Sequence, residues 1–277
     1  GDRVETLAGA IVGAMNNILV AHVEGGEVSG TIDELIRHSV SKLSHIHFVA
    51  NLEAKSRLLQ MGERESQIFV IGSPDVDIMF SDQLPNIESA LHYYDIPFKD
   101  YSILMFHPVT TEQDMALYAN NLIESVLEDG GNYLVIRPNN DMGSAVINEA
   151  ISRLEGNERF AVFPSLRFEF FLVLLKHCQY IIGNSSAGVR EAPLYGVTSI
   201  DIGNRQLNRV KAKSIIHSSY TKKDIQSSIT KAKEHRSEKV ELFGQGNSDA
   251  LFLEILASNE LWEIQCQKQF KDRVIRE

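Results

Sequence analysis

The sequence predicts an α/β fold in which parallel sheets are covered by helices, in two successive series. Three observations lead to it. Short apolar runs alternate with segments whose apolar residues recur at helical spacing. The runs end in glycine- or proline-containing punctuation such as Gly72-Ser73-Pro74, His107-Pro108 and Arg137-Pro138. A polar connector, Ser81 to Pro85, separates the two series.

In the first series, Val4, Leu7, Ala8, Ile11, Val12 and Met15 predict a helix over 2–16. Ile18-Leu19-Val20-Ala21 reads as a buried strand within 18–23 that ends at His22 and Glu24, before a turn containing Gly25, Gly26 and Gly30. Thr31 with Glu34 has the form of a capping box opening a helix over 31–44, its buried stripe being Ile32, Leu35, Ile36, Val40 and Leu43. On that helix Asp33 and Arg37 share one flank, and Glu34 and His38 the other. A strand over 46–50, a helix over 52–61 and a strand over 67–72 complete the series. With no strand ahead of Gly1-Asp2-Arg3, the first domain is expected to be incomplete at its N-terminus.

The second series places strands at Ser102–Phe106, Tyr133–Ile136, Phe160–Phe163, Tyr180–Ile182 and 198–202. Helices fall at Thr111 to Glu128, Met142 to Leu154, 167–177 and 187–195, a doubly wound pattern. One more helix is expected near 222–235, and a long one from Asp249 to Phe270.

The bulk numbers narrow the function classes. The 277 residues, 43% hydrophobic and 23% charged, suit a soluble protein of two domains. A net charge of −10 argues against a nucleic-acid surface, yet allows an anion in a local basic pocket. Cys178 and Cys266 lack metal-ligand spacing and read as two reduced thiols of a cytoplasmic protein, with no metal site. No apolar run is long enough to span a membrane, and no secretory signal is visible.

Chemistry-bearing residues concentrate at two places. His22, Glu24, Glu27, Asp33, Glu34, Arg37 and His38 lie where a strand meets the next helix, where open α/β sheets bind ligands. A solvated loop and a charged helix is the alternative reading of each residue taken singly. The second place is Gly183-Asn184-Ser185-Ser186-Ala187-Gly188-Val189-Arg190-Glu191, whose small residues would leave backbone N–H groups open at a helix start for phosphate oxygens. Glu191 could then accept from vicinal ribose hydroxyls; alternatively the two serines only cap the helix. Arg205, in Gly203-Asn204-Arg205-Gln206, is either a diphosphate partner or a surface ion-pairing residue.

Taken in one order, Gly1-Asp2-Arg3, His22-Val-Glu24-Gly-Gly-Glu27, Asp33-x-x-x-Arg37-His38, His107-Pro-Val-Thr-Thr111, Gly183-Asn-Ser-Ser186-x-Gly-x-x-Glu191 and Gly203-Asn-Arg205-Gln206 closely resemble the hydrolysing UDP-N-acetylglucosamine 2-epimerases of sialic and related nonulosonic acid biosynthesis. The resemblance reaches to about residue 257. It implies two Rossmann-like domains in a glycosyltransferase-B arrangement: 1–85, a partial domain carrying the catalytic carboxylates, and 86–277, the UDP-binding domain, with C-terminal helices packing back on the first. It also implies conversion of UDP-GlcNAc and water to ManNAc and UDP through a glycal, with no cofactor and in a homo-oligomer.

By the same resemblance Asp2, Glu24, Asp33 and His107 take catalytic positions, and Arg3, Arg37, His38, Asn139, Ser185, Ser186, Glu191 and Arg205 positions that bind the sugar nucleotide. Proton removal at C2 suits a carboxylate or histidine, and the departing diphosphate needs donors. Related enzymes act on UDP-linked diacetamido sugars of legionaminic acid pathways. A glycosyltransferase of the same fold would share the phosphate site but has no use for a C2 base. A non-catalytic UDP-sugar-binding fragment is the remaining alternative.

Overall fold

The computed structural model describes residues 3–29, 33–109, 112–139, 142–207, 209–235 and 237–271. The chain divides into two units, Gly1–Ser81 with Glu241–Glu277, and Asp82–Val240.

The first unit opens with α1 (Val4–Met15), which does not bury the face that its spacing suggests. Val4 and Met15 are 68% and 70% exposed, and Ile11 and Val12 are exposed too. Instead Ala10 is buried and Gly13 lies against Val20, where a Cβ would stand 2.6 Å from the valine Cγ2. The helix has two apolar faces, and the one built of small residues makes the close approach. Strand β1 (Ala21–Val23) is shorter than expected, with Ile18 exposed ahead of it.

The next helix, α2 (Asp33–Leu43), corrects a second expectation: its buried residues are Arg37, Val40 and Ser41, while Leu35 is exposed. Its inner face is half polar: Arg37 serves the preceding loop, and Ser41 pairs with His22 of β1. Thr31 and Ile32 lie outside the described residues; the Glu34 carboxylate accepts the Ser29 N–H at 2.8 Å.

Strand β2 (Ile46–Val49) pairs in parallel with β1 and with β3 (Ile68–Val70), in the order β1-β2-β3. Between them α3 (Leu52–Gln60) starts where Asn51 accepts the Ala54 N–H at 2.8 Å. Alternation along β2 sends Val49 to one face, where it packs with Ala54, Leu58 and Ile68. Ile46 and Phe48 go to the other. Helix α4 (Pro74–Met79) follows β3; Ser73-Pro74, read above as punctuation only, is its N-cap and first residue.

In the second unit α5 (Ile87–Tyr93) precedes six parallel strands: β4 (Ser102–Met105), β5 (Tyr133–Ile136), β6 (Phe160–Phe163), β7 (Tyr180–Gly183), β8 (Thr198–Ile202) and β9 (Ile215–Ser218). Helices α6 (Met115–Asp129), α7 (Ser144–Ser152) and α8 (Phe168–His177) connect β4 through β7. The five-residue α9 (Glu191–Tyr195) follows β7, and α10 (Lys222–Glu234) follows β9. The strand order is β6-β5-β4-β7-β8-β9, the doubly wound order with its reversal between β4 and β7. Departures from expectation lie here, α5 among them. The helix expected over 187–195 is a 3₁₀ turn, Ser186–Gly188, followed by α9. Strand β9 was missed because Ile215-Ile216 is too short an apolar run to register.

The chain then returns to the first unit as α11 (Ser248–Leu256) and α12 (Asn259–Trp262) in place of one helix to Phe270. Ser258 takes an extended conformation (φ −73°, ψ 128°) and breaks the helix, and the Trp262 indole N–H closes the break by donating to Leu256 O at 3.0 Å. Leu251, Phe252, Ile255 and Leu261 cover the β2 face that carries Ile46 and Phe48. Among the described residues no helix is long and apolar enough to cross a membrane.

Beyond α12, Lys268 donates to the carbonyls of Ser41, Lys42 and Ser44 at the C-terminal end of α2. It also reaches the buried Glu63 carboxylate at 2.6 Å, which is shared with Lys42 at 2.8 Å and with the His47 Nε2–H at 3.1 Å. Burial would raise the Glu63 pKa, but these three donors hold it down at about 2. Burial keeps His47 below its ordinary value, hence neutral. Glu63 therefore adds stability above an unfolded pKa near 4.5, and that stability is lost as pH falls toward 2. Replacing it with Gln should cost the first unit about 3 kcal/mol, the cost of leaving buried charge unpaired. Thermal melts should show this at neutral pH and should show a weaker acid dependence in Glu63→Gln than in the wild type.

Candidate functional site

Each unit places a polar cluster at the C-terminal ends of its strands. In the first, the backbone leaves β1 through Glu24, whose φ of 62° lies in the left-handed region that non-glycine residues seldom enter. Its N–H still pairs with Phe48 O at 2.8 Å, so the turn is locked to the sheet edge. Gly26 follows with φ 80°, and a Cβ there would meet Ala54 O at 2.4 Å; only glycine lets the loop lie on α3. Arg57 donates to Gly26 O at 3.2 Å.

Buried Arg37 points from α2 into the same loop, donating to Glu27 O at 3.1 Å and to Ser29 Oγ at 3.4 Å. His22, buried in β1, pairs with Ser41 Oγ at 3.0 Å. Asp33 is half-buried as the first residue of α2, and His38 sits 3.4 Å from the Glu34 carboxylate one turn on. The Glu24 carboxylate accepts the Ser73 hydroxyl at 2.6 Å across the ends of β1 and β3. Arg3 is exposed as the N-cap residue of α1. Asp2 lies outside the described residues, as do Gly30 and Thr111 of the motifs above.

In the second unit the cluster forms where the strand order reverses. Asn184, fully buried, accepts the His107 N–H at 2.7 Å and donates its side-chain N–H to His107 O at 2.8 Å. Its own N–H donates to Met105 O at 3.1 Å, and its carbonyl accepts Arg205 Nη1–H and Gln206 Nε2–H, both at 3.0 Å. Gly183 before it has φ 137°, and a Cβ would stand 1.8 Å from Met105 O. Arg205 thus belongs to this cluster, with its guanidinium turned to the Asn184 carbonyl.

Ser185 caps the 3₁₀ turn by accepting the Ala187 N–H at 3.3 Å. Gly188 packs on Ser199, whose Oγ a Cβ would meet at 2.4 Å. Glu191 is buried at the first position of α9. Since α9 has only five residues, its dipole is small, and any anion bound here relies on side-chain donors more than on a helix end. Asn139 is exposed in the segment after β5.

Three residues outside the expected set emerge. Asn184 stood within the quoted motif, but its role as the joint between two strand ends needs the fold. Ser73 was visible only as turn punctuation. Asp201, on β8, pairs with His217 of β9 at 3.1 Å; burial pushes its carboxyl up to about 6, against the pull of His217 and Arg205. Nothing in the spacing of Asp201 and His217 links them before β8 and β9 are known to be neighbours. Among the described residues no group of three or more His, Cys, Asp or Glu is arranged to hold a metal ion.

Comparison with known proteins accords with this architecture. A protein described as UDP-N-acetylglucosamine 2-epimerase from Neisseria meningitidis serogroup B is 50% identical over 98% of this chain and 73% of its own length. The UDP-N,N'-diacetylbacillosamine 2-epimerase (hydrolyzing) of Legionella pneumophila is 35% identical, and the match covers 78% of this chain and 58% of that protein. In three dimensions the fold is similar to that of the Methanocaldococcus jannaschii UDP-GlcNAc 2-epimerase solved with UDP-GlcNAc and UDP. That match has a TM-score of 0.77 and 22% identity, over 92% of this chain and 74% of that one. The family model for UDP-N-acetylglucosamine 2-epimerase matches residues 1–257, and the chain belongs to that family.

Proposed function

We propose that the chain is a hydrolysing UDP-N-acetylglucosamine 2-epimerase, converting UDP-GlcNAc and water to ManNAc and UDP. The observation that carries this reading is the 50% identity to the Neisseria protein over 98% of the chain. The word "hydrolyzing" in the name of the Legionella relative supports the hydrolytic outcome. That same name favours, as a second reading, a UDP-linked diacetamido sugar as substrate.

The reaction needs two steps. Loss of the C2 proton and departure of UDP from C1 leave a glycal. Addition of water then forms a C1–O bond and returns a proton to C2 from the opposite face, giving the 2-epimer. Glu24 and Asp33, with Asp2, are the proposed proton-transfer groups of the first unit, and His107 is the proposed catalytic group of the second. Glu24 is suited to this because its carboxylate accepts the Ser73 hydroxyl at 2.6 Å at a strand end. Arg37 holds the loop through Glu27 O and Ser29 Oγ, while His38 and Arg3 are proposed sugar-nucleotide contacts. Ser185, Ser186 and Arg205 supply donors for the charge growing on the departing diphosphate. Glu191 and Asn139 are proposed nucleoside contacts. A homo-oligomeric state also belongs to the proposal.

NMR in deuterated water tests the reaction itself. ManNAc released with deuterium at C2 is the expected product from UDP-GlcNAc; no turnover of UDP-GlcNAc beside turnover of a UDP-diacetamido sugar would support the second reading.

Glu24→Gln and Asp33→Asn keep the shape of the side chains but cannot take a proton at neutral pH. Each should lower kcat by roughly 10²- to 10⁴-fold while the UDP dissociation constant stays near that of the wild type. Near wild-type release of UDP by either variant would remove that residue from the chemistry. Glu191→Ala should instead weaken UDP binding by about 1.5–3 kcal/mol, the value of a hydrogen bond to a charged group. An unchanged dissociation constant by calorimetry would remove that assignment.

A further inference from the structure

Ser73 stands at the N-cap of α4, where a serine side chain ordinarily accepts an N–H from the first turn. It makes no such bond. Its hydroxyl instead donates to Glu24 Oε1 at 2.6 Å, from a side chain that is almost fully buried. A cap of this kind is worth about 1 kcal/mol, so turning it away from the helix forgoes local stability. At the other end of the contact, Glu24 holds an unfavourable left-handed φ of 62°. Two local preferences are therefore set aside at the two ends of one hydrogen bond.

The backbone around Ser73 is also fixed more tightly than a surface turn requires. Its N–H donates to Phe243 O at 2.7 Å. Gly72 (φ 90°) and Gly244 (φ 107°) lie so close that a Cβ on Gly244 would stand 2.7 Å from Gly72 Cα. Asn51, the cap of α3, donates its side-chain N–H to Leu242 O at 3.1 Å. The returning segment 242–244 thus clamps the loop after β3, and that loop presents one hydroxyl to the Glu24 carboxylate.

We propose that Ser73 is a positioning residue for proton transfer by Glu24, acting through the carboxylate rather than on the substrate. The proposal rests on the role assigned to Glu24 above. A carboxylate that must reach one carbon-bound proton gains from being held in one rotamer, since a misplacement of about 1 Å can cost on the order of 100-fold in rate.

The test compares Ser73→Ala, Glu24→Gln and the double variant, with UDP release from UDP-GlcNAc as the readout. Ser73→Ala should lower kcat by about 10- to 100-fold with KM unchanged. It should add no further loss in the Glu24→Gln background, because the hydroxyl then has no proton-transfer group to place. A wild-type kcat in Ser73→Ala overturns the proposal, as does a rise in KM at constant kcat. A further loss on top of Glu24→Gln also overturns it, since a merely structural residue lowers both backgrounds alike. If Glu24→Gln itself turns over normally, the reading of Glu24 falls and Ser73 falls with it. A slow Glu24→Gln beside a fast Ser73→Ala removes Ser73 alone. Should Ser73→Ala not fold, Ser73→Thr keeps the hydroxyl and should retain most of kcat. An unfolded or equally slow Ser73→Thr overturns the proposal.

Discussion

The second unit depends on one side chain, the buried amide of Asn184. Its oxygen and nitrogen both engage the backbone of His107, so the chain leaving β4 and the chain leaving β7 cannot separate. Its backbone N–H and carbonyl are used as well, by Met105, Arg205 and Gln206. A buried amide is tolerated only when its donors and acceptors are matched, and here the match is what defines the local geometry. Strand order makes this place special. At the reversal between β4 and β7 the two connections run to opposite sides of the sheet and leave a gap at the strand ends. Asn184 ties the two strand ends together at that place. Gly183 is the condition for it, because any side chain at that position would collide with Met105 O.

The first unit reaches a similar end with different parts. Its loop after β1 is shaped by a positive-φ glutamate, a glycine against α3 and an arginine entering from α2. That explains why the inner face of α2 could not be found by looking for an apolar stripe. Arg37, Ser41 and, just past the helix, Ser44 are buried at helical spacing beside Val40, while Leu35 falls on the exposed side. Each polar group has a partner: Arg37 donates to the loop, Ser41 pairs with His22 of β1, and the Ser44 hydroxyl donates to Val40 O.

What the amino-acid order made legible follows from the same physics. The strands of the second unit were readable because both faces of a central parallel strand are buried, so Ile103-Leu104, Tyr133–Ile136 and Tyr180–Ile182 stand out as unbroken apolar runs. The residues at their ends were readable too, since strand termini are marked by glycine or proline. Partner choice was not. Asp201 meets His217, and Glu63 meets Lys268, only through sheet order and chain return, which no local pattern encodes. The helix over 249–270 failed for a related reason. Helical propensity continues past Leu256, but Ser258 and the anchoring of Lys268 under α2 impose a broken path.

That return of the chain ties the two themes of the first unit together. One face of its sheet is closed by α11 and α12, and without them Ile46 and Phe48 would face water. The same segment is held by Asp77, whose carboxylate accepts the Ser248 and Asp249 N–H groups at 3.0 Å and so caps α11. Between Val240 and that cap the chain has only a few residues, and they are the ones that touch the loops after β2 and β3: Leu242 at Asn51, Phe243 at Ser73 and Gly244 at Gly72. The cover of the core and the support of the loops after β2 and β3 are thus one covalent piece. The two glycines with positive φ meet back to back there, so the covering segment and the loop after β3 approach as closely as their backbones allow. A Cβ on Gly244 would stand 2.7 Å from Gly72 Cα, so a larger residue there forces this loop, and Ser73 with it, to shift.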